Sequence, residues 1–112
     1  MSKTVNLCLD KGADFSVIVQ IIGIGRRPID LHDMEFASKA KFMMKESIKV
    51  AIQCIVERPS EGLLRLYIPY SKTERMPVGD WLYDIEMTYP KNRRLRLLQG
   101  KLTVTEEATT DW

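Results

Sequence analysis

Apolar and polar residues alternate along most of the chain, and the period is two. From Ile48 to Glu57 one face reads Ile48, Val50, Ile52, Cys54, Val56, and the other reads Lys49, Ala51, Gln53, Ile55, Glu57. Wound as a helix, these residues would scatter charge around the cylinder. As a strand they separate into a dry and a wet face, and their β-branched content favours the extended form. Trp81 to Tyr89 behaves alike: Trp81, Tyr83, Ile85, Met87 and Tyr89 share one face, Asp84, Glu86 and Thr88 the other, with Leu82 the exception. Leu64 to Ile68, Leu102 to Val104 and Val5 to Leu9 are shorter pieces of the same pattern.

Two stretches depart from it. Phe15 to Ile24 is apolar on both faces, with Phe15, Val17, Val19 and Ile21 on one and Ile18, Ile22 and Ile24 on the other. Such a strand is covered on both sides or offers one side to a partner. Leu31 to Lys45 carries helical spacing at Phe36, Ala40 and Met43/Met44 with Asp33 as a cap, and also strand spacing at Phe36, Ser38, Ala40 and Phe42. Six or more strands around it favour the strand, with a helical turn near Lys45 left open.

Turn residues punctuate these runs: Asp10-Lys11-Gly12, Arg58 to Gly62, a polar loop from Ser71 to Gly79, and Pro90-Lys91-Asn92. Gly100, between Leu95–Leu98 and Leu102–Val104, reads as a bend or bulge. Seven or eight short strands at this spacing predict an all-β, antiparallel β-sandwich. The expected organisation is a single domain over residues 1–107 and a polar tail over 108–112.

Composition narrows the function. The chain has 112 residues, enough for one core, and 45% apolar content argues against disorder. Seventeen basic groups against 15 acidic ones leave +2, too little to announce a nucleic acid or a membrane as partner. The longest apolar run, Val17 to Ile24, is broken by Gln20 and Gly23 and falls far short of a membrane span. Asp10 and Lys11 interrupt any secretory leader. Two cysteines and one histidine cannot build a four-ligand Cys/His zinc site or a disulfide-rich scaffold. A nucleophilic triad would have to be built around His32. The expectation is therefore a non-enzyme without cofactor or metal.

Candidate chemistry is sparse. Gly23-Ile24-Gly25 lacks the third glycine of a dinucleotide loop, and Pro28 bars the helix that should follow, so a bent strand end is expected. His32, Asp33 and Glu35 are two carboxylates and an opposed histidine, and read as a solvated strand start. Cys8 and Cys54 fall on opposed faces of their strands, which argues against a bridge and makes Cys54 a small core residue. Arg93, Arg94 and Arg96 with Lys91 form the densest basic cluster, and Arg26 with Arg27 a second. No aromatic is interleaved with them, so a solvated edge, a salt-bridged protein rim or, least favoured, a phosphate contact follows. Trp112, after the polar run Glu106 to Asp111, either lies in solvent or anchors a tail on a neighbour.

The order of the motifs carries a further signal. Lys11-Gly12-Ala13-Asp14-Phe15 leads into an apolar strand, followed by Arg27-Pro28-Ile29-Asp30-Leu31. Glu61-Gly62 precedes Leu64 to Ile68. Met76-Pro77-Val78-Gly79-Asp80-Trp81-Leu82-Tyr83-Asp84-Ile85-Glu86 then runs into Leu97-Leu98-Gln99-Gly100-Lys101-Leu102-Thr103-Val104. This order, from Lys11 to about Glu107, resembles small structural proteins of tailed bacteriophages, in particular the N-terminal domain of baseplate upper proteins. On this resemblance, the sequence ends at the point where those proteins continue into linker and receptor-binding-protein attachment regions.

The resemblance implies an Ig-like β-sandwich and a virion component of tail, baseplate or fibre attachment, made in the host cytoplasm. Capsid decoration or a head or neck position is the alternative, and a polyanion-binding module using Arg93 to Arg96 is the rival of another class. Its partners would be other virion proteins or symmetric copies of itself. Three interface elements are expected: the outer apolar face of the Phe15–Ile24 stretch (Ile18, Ile22), the basic hairpin (Arg93, Arg94, Arg96) and the tail ending in Trp112.

Overall fold

The period-two segments become strands in the computed structural model, which describes residues 3–89 and 93–106. They are β1 (Lys3–Thr4), β2 (Leu7–Asp10), β3 (Phe15–Gln20), β4 (Glu35–Phe42), β5 (Lys49–Arg58), β6 (Leu63–Ile68), β7 (Gly79–Tyr89) and β8 (Arg93–Thr105). A four-residue helical turn, α1 (Tyr70–Thr73), links β6 to β7. The fold is all-β. Its hydrogen-bonded path runs β8-β7-β4-β5-β6-β3, with β1 and β2 both on the far side of β8.

β5 divides its pairing. Lys49 to Ile52 face β4, whereas Gln53 to Arg58 face β6. The chain thus carries two ladders hinged on one strand, and the alternating side chains of both point into a single core. Leu64, Leu66 and Ile68 of β6 enter from one ladder, and Trp81, Tyr83, Ile85 and Met87 of β7 from the other. Trp81 is fully buried, stacks at 5.1 Å from Phe42, and donates its indole N–H to the Pro77 carbonyl at 3.1 Å. Burying so large a ring is favourable only because its one polar atom keeps a partner.

Leu31–Lys45 resolves as the strand β4, with Ser38, Ala40 and Phe42 buried and Phe36 half-buried on one face. The buried Ser38 hydroxyl donates to the Asp84 carbonyl at 2.6 Å. Only a turn, closed by the Ile48 N–H on the Lys45 carbonyl, remains of the helical alternative.

Four expectations need correction. The sheet is not wholly antiparallel, because β1 and β2 run parallel to β8. The strand beginning at Phe15 ends at Gln20 instead of Ile24, since the chain turns at Gly25 (φ +73°), and only an isolated bridge joins Ile22 to Pro28. The polar loop after Pro69 contains α1, held by Thr73, whose buried hydroxyl donates to the Ala13 carbonyl (2.8 Å) and accepts from the Gly12 N–H (3.2 Å).

Finally, β8 has no bulge at Gly100, where its register with β7 is unbroken. Its bulge lies at Leu97, the residue skipped between the pairs Ile85–Leu98 and Glu86–Arg96. Gly100 has another task, because a Cβ there would lie 2.0 Å from the Val5 carbonyl oxygen. Only glycine lets the break between β1 and β2 cross so close to β8.

Candidate interaction site

The basic residues of β8 do not form one surface. The bulge at Leu97 reverses which side chains face outward. Arg94 and Arg96, opposite Thr88 and Glu86, lie on the outer face. There the diagonal cross-strand acids meet them: Arg96 Nε is 3.6 Å from Asp84 Oδ2, and Arg94 Nε is 4.0 Å from Glu86 Oε2. Lys101 repeats the arrangement with Asp80 at 3.7 Å. Arg93, opposite Tyr89, falls on the other side. The cluster is thus half neutralised within its own sheet, which weakens its attraction for phosphate.

Ile18 and Ile22 also separate. Ile18 lies in a cross-strand row Ile18–Arg65–Ile55 on the outer face of the β3–β6–β5 ladder. The Arg65 side chain pairs there with Glu57 and Ser16, setting a guanidinium between the two exposed isoleucines. The apolar area at Ile18 is therefore interrupted.

Ile22 belongs to a different feature. Beyond β3 the chain folds back on itself, with the Gly23 N–H on the Arg27 carbonyl and the Ile29 N–H on the Ile21 carbonyl, both near 2.8–2.9 Å. Gly62 permits this, since its Cβ would meet the Ile21 carbonyl at 2.6 Å and its φ is +68°. The resulting arm faces the start of β8 across a cleft of about 370 Å³. Ile21, Ile22 and Ile29 with Gln20 and Arg26 line it from the arm side, and Leu95, Leu97 and Leu98 from β8. Ile22 and Leu95 are 46% and 36% exposed, large fractions for apolar side chains in facing walls.

The same stretch of β8 is an edge. β1 begins to pair at Leu98, so among the described residues Arg93 to Arg96 pair with β7 alone and the bulged Leu97 has no cross-strand partner. Trp112, the third expected element, lies outside the described residues, as do Lys91 and residues 107–111.

The other candidates hold little chemistry. His32 Nδ1 lies 2.6 Å from Asp30 Oδ1, which also accepts the His32 backbone N–H. These bonds hold the exposed Asp30 carboxyl below its ordinary range. Asp33 sits in the following turn and Glu35 opens β4. Among the described residues no three His, Cys, Asp or Glu side chains converge on a point, and no helix is long and apolar enough to cross a membrane.

Cys8 is exposed and Cys54 half-buried, and they are not bridged. Burial pushes the Cys54 thiol up to about 11, the opposite of an activated nucleophile. It pushes the Tyr83 hydroxyl up to about 12. A second exposed apolar group, Met43 and Met44 with Val78, caps the β4–β5 end of the molecule, where the Met43 N–H bonds the Asp80 carbonyl. Two adjacent methionines before a polar turn were the only sign of it in the sequence.

Neither the comparison with protein-family profiles nor that with curated proteins finds a match for the chain. Among solved structures it is similar to the N-terminal domain of phage TP901-1 ORF48, with a TM-score of 0.55 over 93% of this chain and 94% of that one, at 9% identity. At that identity the likeness is one of fold.

Proposed function

We propose that the chain is a structural component of a tailed-phage virion, in the tail, baseplate or fibre-attachment region, acting through protein–protein contacts and not by catalysis. The observation that carries this reading is the end-to-end correspondence in fold with a phage protein domain, at a TM-score of 0.55. The motif order from Lys11 to Glu107 points to the same class of protein. The strand pairings favour an Ig-like sandwich. β3–β6–β5 corresponds to a B–E–D ladder and β4–β7–β8 to C–F–G, with β2 beside β8 as an A strand.

On this reading Ile18, Ile22, Arg93, Arg94, Arg96 and Trp112 supply contacts to other virion proteins or to symmetric copies. The chain is made in the host cytoplasm and ends in the particle. Mass spectrometry of purified virions tests the reading, with immunogold labelling to separate tail from capsid or neck. The protein should copurify with particles at a fixed ratio to the major tail or capsid protein. Its absence from particles overturns the proposal.

A further inference from the structure

We propose that the cleft between the arm Ile21–Ile29 and the start of β8 receives residues 106–112 of a second copy. The incoming segment adds as a strand along Arg93–Leu97, an edge without a neighbour among the described residues, with Trp112 entering the cleft. This rests on the virion reading only for its biological setting; the contact itself is argued from the chain.

The acceptor is built from three observations. β1 and β2 cover the β8 edge from Leu98 to Thr105, and Arg93 to Leu97 have no neighbour on that side among the described residues. An open edge is a template for one more strand. Directly beside it lies a cleft of about 370 Å³ whose lining is mostly apolar, with Gln20 and Arg26 among it and Ile22 and Leu95 half-open. Arg26 lines the cleft, and exposed Arg27 and Arg93 lie within two residues of its lining in sequence, which makes this region basic.

The chain carries a segment that matches. Glu106-Glu107-Ala108-Thr109-Thr110-Asp111-Trp112 has three acids, no basic residue and one large aromatic. Its acids suit the arginines, its threonines suit a strand, and a tryptophan in a pocket is the usual anchor of an interface.

Its own copy cannot supply it. Leu95 and Glu106 are eleven residues apart along an extended strand, about 36 Å at ~3.3 Å per residue. Residues 107–112 span at most about 20 Å. The segment must come from a neighbour, exchanged reciprocally in a two-fold pair or passed head-to-tail in a ring or filament.

Sedimentation velocity on the full chain over a concentration series tests this. The full chain should self-associate. Deleting 107–112, or replacing Leu95→Asp, should weaken association about tenfold or more. Mixing the two variants should give a one-to-one complex and nothing larger, since one retains the acceptor and the other the donor. Ile22→Asp serves as the acceptor variant should Leu95→Asp fail to fold by circular dichroism. A monomeric full chain, a deletion that associates as well as the full chain, or a mixture of folded variants that stays unassociated overturns the contact. A chain present in virions yet indifferent to the deletion would overturn this contact and leave the virion role standing. A chain that associates through 107–112 yet is missing from virions would do the reverse.

Discussion

The Tyr83 hydroxyl donates to the Val5 carbonyl at 2.6 Å, joining residues 78 positions apart. Tyr83 stands opposite Gly100 on β8, so the tyrosine reaches the N-terminal segment past a position that has no side chain. Val5 is held from three sides: its N–H bonds the Gln99 carbonyl, its carbonyl takes the tyrosine, and Asn6 Oδ1 beside it accepts the Lys101 N–H. The N-terminal strands owe their place to this crossing.

Gly100→Ala should therefore displace β1 and β2 before it disturbs the rest. The added Cβ, 2.0 Å from the Val5 oxygen, leaves no room for a rotamer change to relieve it. We expect a loss of about 3 kcal/mol, the upper range for an overpacked site. Hydrogen exchange checks the assignment: amides of Val5 to Asp10 should lose protection first, and those of β4 and β7 last. Equal loss throughout would show that the N-terminal strands are integral to the core and not an added layer.

Stability should fall at alkaline pH. Folding pushes Cys54 from 9.0 up to about 11 and Tyr83 from 10.0 up to about 12, in both cases because burial disfavours the anion. Below pH 9 both groups are protonated in folded and unfolded chains, and the full stability is present. Above it the unfolded chain releases protons that the folded chain keeps, so the unfolded form gains and stability declines. The slope is at most about 1.4 kcal/mol per pH unit for each group. Denaturant titrations across the alkaline range should show the decline. Cys54→Ala should remove its earlier part and Tyr83→Phe its later part, the latter after an initial cost of about 1 kcal/mol for the Val5 hydrogen bond.

Thr73 offers a sharper test of how α1 is attached. Its hydroxyl is buried and serves the Gly12 N–H and the Ala13 carbonyl, which tie α1 to the β2–β3 turn. Thr73→Val keeps the shape and leaves that N–H without its partner. A cost of about 1–3 kcal/mol is expected. Thr73→Ser keeps the hydroxyl and should cost less than Thr73→Val. Thermal unfolding of the two variants beside the parent decides it, and a larger loss in Thr73→Ser than in Thr73→Val would assign the role to the methyl group.

The strands were legible in the sequence because one face of nearly every strand is buried, and burial imposes period two. Ile52, Trp81 and Leu66 lie where alternation puts them, whereas β4 has both helical and strand spacing, and only the strands around it favour the extended form. What failed to show was long-range. The parallel pairing of β2 with β8 and the switch of β5 between partners depend on contacts between distant residues, which alternation does not encode. Gly100 announced an unusual position, but whether it bends the strand or admits another chain segment depends on Val5. Among the expected interface residues, the bulge at Leu97 was the hidden term. One extra residue puts Arg94 and Arg96 beside Glu86 and Asp84 and sends Leu95 to the cleft wall beside Ile22.

That pairing makes a prediction about polyanions. With Arg94 and Arg96 beside their own acids, the chain should show no salt-dependent binding to DNA near physiological ionic strength. Asp84→Asn with Glu86→Gln removes two negative charges, taking the net charge from +2 to +4, and releases both guanidinium groups. The double variant should elute from a heparin column at higher salt than the parent. Its stability should change by less than about 1 kcal/mol per pair, because both arginines are more than half exposed and such pairs are screened. If the parent already binds DNA with a steep salt dependence, the intramolecular pairs do not neutralise this face, and the polyanion-binding reading displaces the structural one. If neither protein binds heparin, the arginines are too few to act as an anion site even when freed. Their role is then confined to keeping a charged, soluble outer face on β7 and β8.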